Sequence, residues 1–128
     1  MIAQLIASFN YVVHKADISP ASTAEGGLYI PHTVGIIFYG KAGKNLTLYA
    51  RSLVAPDFLP KTRTEDISLW PTLGDNIIVG AYALVIGNVS VGNESIVAPQ
   101  CVATKSVPER TTLFSSGKIH SHHVTADD

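Results

Sequence analysis

The chain has 128 residues, a formal net charge of −1 and 46% hydrophobic residues. This length suffices for one compact domain, and the apolar content gives that domain a sizeable core, which excludes a disordered chain. Only 15% of the residues are charged, so no broad basic surface predicts binding to nucleic acid or anionic lipid. The single cysteine, Cys101, excludes an intrachain disulfide and is typical of a reducing cytoplasm, where we expect the protein to act.

The first predicted element is a short amphipathic helix over residues 1–15. Its apolar residues recur at helical spacing: Ile2, Leu5, Ile6, Phe9, Val12 and Val13. We expect this helix to cover the open end of the structure that follows, where strand edges would otherwise be exposed. The segment lacks the basic region and cleavage site of a signal peptide. The longest apolar run, Ile77 to Gly87, is too short to cross a bilayer, so no membrane insertion is expected.

The rest of the chain repeats every six residues. From Leu73 it divides into LGDNII, VGAYAL, VIGNVS, VGNESI, VAPQCV and ATKSVP, each beginning with an aliphatic residue or alanine. The same frame upstream has first positions at Ile18, Ala24, Ile30, Ile36, Ala42, Leu48 and Val54. Glycines follow at Gly74, Gly80 and Gly92, where a corner would leave no room for a Cβ or would need a positive φ. Cys101 occupies a fifth position, which predicts a buried small residue rather than a reactive thiol.

This repeat predicts short strands joined by tight corners, three to a coil, with coils stacked at the roughly 4.8 Å spacing of parallel strands. The first-position residues then lie above one another and fill the interior. The predicted fold is all-β, a left-handed parallel β-helix, which is a known exception to the right-handed crossover rule. We expect a single domain over 1–128, with coils over 17–54 and 72–108 and a C-terminal arm or tail over 109–128.

Between the two coil regions the sequence predicts an extended loop over residues 55–71. The frame slips by one residue there, and APDFLPKTRTEDISLWP contains three prolines and a cluster of charges. Loops of this length on a rigid scaffold are often functional.

One histidine, His32, lies in the almost entirely apolar run GGLYIPHTVGII, residues 26–37. A histidine in such a run is more often a packed core residue than a catalytic one. The alternative is a general base held by a rigid scaffold, because a neutral imidazole accepts a proton at physiological pH. We expect Ile30, Val34 and Ile36 to bury the ring and exclude water from it.

From Asp17 to about Ile119 the chain resembles the serine acetyltransferase branch of the hexapeptide-repeat acyltransferases. It is also similar to the acetyltransferases of capsule and exopolysaccharide pathways. The stretches that carry the resemblance are ADISPASTAEGGLYIPHTVGI, PTLGDNIIVGAYALVIGNVSVGNESIVAP and KSVPERTTLFSSGKI. The resemblance implies that His32 is the general base and that Asp17, fifteen residues earlier, orients its ring. In such a pair the imidazole takes the proton of an alcohol as it attacks a thioester, and the carboxylate stabilises the imidazolium.

The resemblance also implies that acetyl-CoA is the acyl donor and that no metal takes part. VGAYA matches a coil turn whose backbone amides line the pantetheine groove, while KSVP and SSGKI match stretches near the nucleotide end. The candidate donor-binding residues are Gly80, Ala81, Ala98, Lys105 and Lys118. Both lysines are equally well interpreted as solvated surface residues.

Two departures from the family bear on the acceptor. Serine enzymes have an aspartate before the base and Arg-His-Pro where the loop rejoins the coil, whereas this chain has Pro31 and Leu69-Trp70-Pro71. We therefore expect a sugar or polysaccharide precursor as the acceptor, with serine as the alternative. Trp70 has a flat apolar face of the kind that stacks on sugar rings, although a tryptophan that packs the loop down is an equally good interpretation.

The alternatives from other classes of protein are a zinc enzyme and a non-catalytic scaffold. Zinc enzymes with this fold need several nitrogen or sulfur ligands that converge on one point, but the repeat region contains only His32. The tail histidines, His120, His122 and His123, lie in a polar segment beyond the coil.

A non-catalytic trimeric scaffold stays open, because a fold does not determine a function. Active sites of the family lie between neighbouring prisms, so we expect a homotrimer.

Overall fold

The computed structural model describes residues 1–57 and 66–114, and the backbone alone of 119–121. It consists of a helix, α1 (Ile2–His14), followed by short strands that wind into a three-sided coil. A 3-10 helix, Ile67–Leu69, precedes the point where the chain re-enters the coil. The strands are β1 Asp17–Ile18, β2 Thr23–Gly26, β3 Ile37–Phe38, β4 Lys41–Lys44, β5 Thr47–Leu48, β6 Leu53–Ala55, β7 Thr72–Leu73, β8 Ile78–Val79, β9 Leu84–Ile86, β10 Ser90–Val91, β11 Ile96–Val97, β12 Val102–Ala103, β13 Thr111–Leu113 and β14 Ile119–Ser121.

Three sheets form the sides of the prism. The first face has the order β1-β3-β6-β9-β12, the second β10-β7-β4-β2, and the third β14-β13-β11-β8-β5. Every neighbouring pair is parallel except β13 and β14, which are antiparallel. The stacked coils that the six-residue period predicts are confirmed.

The core is a set of side-chain columns inside the prism. On the first face, pairing stacks Ile18, Phe38, Val54, Val85 and Ala103. On the second it stacks Ala24, Ala42, Leu73, Val91 and Val107. On the third it stacks Leu48, Val79, Val97 and Leu113. Most of these side chains are buried, so each coil contributes one apolar residue per face to a continuous core.

The six-residue frame is wrong at one upstream column. Phe38, not Ile36, pairs with Val54, and its side chain is only 1% exposed. Eight residues separate Ile30 from Phe38, where six separate the equivalent Leu48 from Val54. Ile36 is still buried, but it lies two positions before Phe38, directly ahead of β3. The two extra residues lie in the corner that contains the histidine of the apolar run.

A second shift occurs near the C-terminal end of the coil. Val107, which the repeat places in a fifth position, pairs with Val91 in the second column. The coil also continues past residue 108, where the sequence predicted its end, because β13 pairs in parallel with β11 and Leu113 fills the third column. β14 then pairs antiparallel with β13.

Close approach between coils explains the corner glycines better than backbone conformation does. A Cβ on Gly80 would lie 2.5 Å from the backbone nitrogen of Pro99, and one on Gly92 would lie 2.3 Å from that of Glu109. Neither glycine has a positive φ. The left-handed conformation falls two residues later, at Tyr82 (φ 60°) and Glu94 (φ 59°). The glycines therefore let adjacent coils approach, and other residues make the turn.

Cys101 is buried in the core, with 1% of its surface exposed. Burial raises the pKa of its thiol, which disfavours the reactive thiolate at neutral pH. The interpretation of Cys101 as a small packing residue is confirmed.

Helix α1 forms as the apolar spacing predicts, but its apolar side does not cover the coil. None of its residues is buried. Six apolar side chains remain exposed: Ile2, Leu5, Ile6, Phe9, Val12 and Val13. The half-buried residues are Ala7 and Asn10, and the Asn10 side chain donates a hydrogen bond to the Ala16 carbonyl at 3.2 Å. The helix thus meets the coil through small and polar residues. No helix in the described part of the chain has the length and apolarity that crossing a membrane requires.

Candidate active site

His32 lies in the lengthened corner before β3, and its side chain is exposed rather than buried as predicted. Ile36 points into the core, and Val34 is itself 49% exposed, so the apolar neighbours in sequence do not enclose the ring. Among the residues that the structure describes, none makes a hydrogen bond to the imidazole. Backbone hydrogen bonds from Gly35 to Lys15 (2.8 Å) and from Arg51 to Val34 (2.9 Å) hold the corner on both sides. The imidazole is therefore presented to solvent on a fixed backbone.

Asp17 lies in β1 and is half-buried. It pairs with Ile37, five residues after His32. Its carboxylate accepts the Tyr39 hydroxyl, at 3.2 Å to Oδ1 and 3.1 Å to Oδ2. No hydrogen bond joins Asp17 to His32. Among the described residues, the side-chain partner of Asp17 is thus a tyrosine and not the histidine that the resemblance implies.

Tyr39 is the residue of this region that the sequence did not point to. It follows Phe38, whose side chain enters the core, so the alternation of a strand turns Tyr39 outward beside Asp17. Burial raises the pKa of the Tyr39 hydroxyl above its usual 10.0, and the charge and hydrogen bond of Asp17 raise it further. The phenol therefore stays protonated at neutral pH and acts as the donor to Asp17.

We expect this hydrogen bond to make the fold sensitive to alkali. Because the pKa of Tyr39 is raised in the folded state, its contribution to stability is complete below about pH 10 and is lost as the pH rises through the folded pKa. Tyr39→Phe should therefore lose less unfolding free energy between about pH 9 and pH 12 than the parent chain, as measured by urea denaturation. The exposed Tyr49, replaced by phenylalanine, is the matched control. Equal losses in the parent and Tyr39→Phe would contradict the expectation.

Trp70 does not present its ring for stacking on a sugar. Only 4% of its surface is exposed, and its ring centroid lies 5.6 Å from that of Tyr39 at an interplanar angle of 59°. A buried indole presents no free face for a ligand, so the position of Trp70 gives the predicted sugar contact no support. Its position directly before β7 fits the alternative interpretation, in which Trp70 packs where the loop rejoins the coil.

The structure separates the three backbone candidates for donor binding. The N–H of Gly80 donates to the Val97 carbonyl at 2.8 Å, and the N–H of Ala98 donates to the Leu113 carbonyl at 2.9 Å. Both groups are therefore used within the coil. The N–H of Ala81 makes no hydrogen bond with any described residue, which leaves Ala81 as the amide of this set that can bind a ligand.

Lys105 is exposed and lines a shallow cavity of about 170 Å³ together with Thr104 and Ser106. It makes no ion pair with another described residue, whereas the nearby Arg110 pairs with Glu109 at 2.8 Å. Lys105 is thus the cation of this region that is available to a phosphate.

The remaining candidates fall at the C-terminal end. Lys118, His122 and His123 lie outside the described residues, as does the side chain of His120. Within 1–57 and 66–114, no three His, Cys, Asp or Glu side chains are grouped so that they could hold a metal ion.

The parallel three-sided coil, with an apolar residue about every six positions, places the chain in the class of left-handed parallel β-helix proteins with an N-terminal helix. No protein-family model matches the sequence. Its curated relatives include the serine acetyltransferases of Mycobacterium tuberculosis and Staphylococcus xylosus. The first is 26% identical over 110 residues, covering 84% of this chain and 46% of the relative. The second is 26% identical over 129 residues, covering 99% of this chain and 56% of the relative.

Solved structures of serine acetyltransferases have the same fold. That from Brucella abortus has a TM-score of 0.81 at 23% identity, covering 94% of this chain and 48% of the other. That from Neisseria gonorrhoeae has a TM-score of 0.83 at 21% identity, covering 98% and 47%. The chain thus spans about half the length of the relatives it matches. These comparisons confirm the predicted left-handed β-helix, and they support the hexapeptide-repeat acyltransferase class without separating out a capsule or exopolysaccharide branch.

Proposed function

We propose that this chain carries the catalytic coil of an acetyl-CoA-dependent O-acetyltransferase, with His32 as the general base. The observation that carries the proposal is similarity to serine acetyltransferases over 84% to 99% of the chain, combined with an imidazole exposed on a fixed corner. A neutral imidazole in that place can accept the proton of a hydroxyl as the hydroxyl attacks the thioester. The role of Asp17 as an orienting carboxylate stays a prediction, because its partner within the chain is Tyr39.

Serine is the acceptor that we favour. The curated relatives named above are serine acetyltransferases, and burial of Trp70 removes one of the observations that favoured a sugar. The resemblance implies that Pro31 and Leu69 stand where the family has its charged acceptor-binding residues, and that Trp70 stands where it has a second active-site histidine. Other groups must therefore hold the charges of the amino acid in this chain.

The proposal is tested by following thiol release from acetyl-CoA with L-serine, with glucose and with no acceptor. We expect release that depends on serine and saturates with it. Release that no acceptor increases would favour the non-catalytic scaffold. Release that glucose increases more than serine would restore the sugar as acceptor.

We propose that the acetyl-CoA groove includes the free N–H of Ala81 and, near the nucleotide phosphates, Lys105. Lys105→Ala should weaken acetyl-CoA binding by roughly two- to tenfold at low salt, and by less as salt is added, because an exposed charge-assisted contact is screened. Isothermal titration calorimetry at two ionic strengths measures this. Lys44→Ala, which removes an exposed lysine from an earlier coil, is the control and should bind as the parent does. Unchanged affinity in Lys105→Ala would move the phosphate site toward Lys118.

We also propose that the chain acts as a homotrimer. The exposed position of His32 supports this, because a second prism could form the other wall of a groove around the ring. Light scattering should give about three times the 13.6 kDa mass of the chain. A stable monomer with full activity would contradict the proposal.

The buried single cysteine supports the cytoplasm as the place of action.

A further inference from the structure

We propose that the cleft between α1 and the first coil is a binding site for a small hydroxylated molecule that carries a primary ammonium group. The cleft has a volume of about 460 Å³, which is within the range of small-molecule pockets. Asp17 and Tyr39 line it on the coil side, and Gln4, Ser8 and Tyr11 line it on the helix side. His32 is not among its described lining residues, so the site is separate from the base of the acetyl transfer proposed above, although Asp17 is also the predicted orienting carboxylate of that transfer.

Asp17 gives the cleft a negative charge. Among the described residues, no lysine, arginine or histidine lines the cleft, and the carboxylate makes no ion pair with any of them. A carboxylate can accept about four hydrogen bonds, whereas the Tyr39 hydroxyl has one proton to donate. The half-buried carboxylate therefore has remaining acceptor capacity directed to whatever occupies the cleft. A cation that donates hydrogen bonds satisfies this capacity, and an anion is repelled.

The other polar groups of the cleft suit a primary amine with hydroxyl groups. An ammonium carries three N–H donors, so it can bond to Asp17 while contacting the aromatic surface of Tyr11 or Tyr39. Gln4 and Ser8 are four residues apart and lie on one side of α1. Their amide and hydroxyl groups can both donate and accept, which matches the hydroxyl groups of a ligand.

The position of α1 gives the proposal a second observable. No residue of the helix is buried, and the side-chain hydrogen bond that ties it to the coil runs from Asn10 to the Ala16 carbonyl. A molecule that touches Asp17 on one wall and Ser8 on the other would hold the two walls together. Occupancy should therefore slow the local opening of α1.

The test compares D-glucosamine with D-glucose, which has a hydroxyl where glucosamine has the ammonium. Binding to the full chain is measured by calorimetry without acetyl-CoA, and amide hydrogen exchange of α1 is followed with and without each sugar. We expect glucosamine to bind at least about tenfold more tightly, as a charge-assisted hydrogen bond implies. We also expect glucosamine to slow exchange in α1.

Three variants test whether glucosamine binding depends on the charge of Asp17. Asp17→Asn keeps the shape of the side chain and should abolish both the preference for glucosamine and the slowed exchange. Tyr39→Phe should weaken glucosamine binding less than Asp17→Asn does. Glu25→Gln removes the same charge from an exposed position of the first coil and should leave binding unchanged. Equal affinity for the two sugars, no saturable binding of glucosamine, or a preference that survives Asp17→Asn would overturn the proposal. Since acetyl-CoA is absent from these measurements, none of these results depends on whether the chain transfers acetyl groups.

Discussion

His32→Ala should fold like the parent chain and lose turnover by roughly 10²–10⁴-fold, the usual contribution of a positioned general base. The imidazole is exposed and has no hydrogen-bond partner among the described residues, so its removal should change the unfolding free energy by no more than about 0.5 kcal/mol. Thiol release from acetyl-CoA and urea denaturation measure the two effects separately.

The matched control is His14→Ala, which removes an exposed histidine from the last turn of α1 and should leave turnover unchanged. His32→Asn should lose as much activity as His32→Ala, since an amide cannot act as a base. If His32→Ala unfolds the protein, the ring is a packing residue despite its exposure. If the variant stays folded with full turnover, the base lies elsewhere or the chain is a scaffold.

Phe38→Ala should lower the free energy of unfolding by roughly 3–5 kcal/mol, the usual cost of removing a buried phenylalanine. The ring is 1% exposed and occupies the first-face column between Ile18 and Val54. A Cβ on Gly40 would lie only 3.3 Å from the ring, which shows how closely it is packed. Such a loss is a large part of the total stability of a domain of this size.

Urea denaturation at a fixed protein concentration measures the loss, because assembly would make stability depend on concentration. Phe9→Ala is the matched control. Phe9 lies on the surface of α1 and is 67% exposed, so deleting the same side chain there should lower the free energy of unfolding by no more than about 0.5 kcal/mol. Equal losses at the two positions would mean that Phe38 is not part of the core column.

The resemblance implied catalytic roles for His32 and Asp17, which stay predictions, but it did not predict the surroundings of the two side chains. His32 is exposed in a corner that holds two residues more than the equivalent later corner, and the apolar pattern of the sequence does not reveal this extra length. The partner of Asp17 is twenty-two residues away, on the neighbouring coil. The sequence alone does not indicate that Tyr39 contacts Asp17, because a tyrosine at the end of an apolar strand is equally consistent with packing.

The six-residue period by itself determined the coil, its three faces and most of its core, because an aliphatic residue repeated once per strand stacks wherever the coils pair in parallel. It also determined that Cys101 is a packing residue. Only the tertiary structure decided the shift from Ile36 to Phe38, the burial of Trp70 and the side on which α1 meets the coil. Insertions in a corner and contacts between distant segments leave the local apolar pattern unchanged. The register shift, the burial of Trp70 and the position of α1 depend instead on how one coil or loop packs against another.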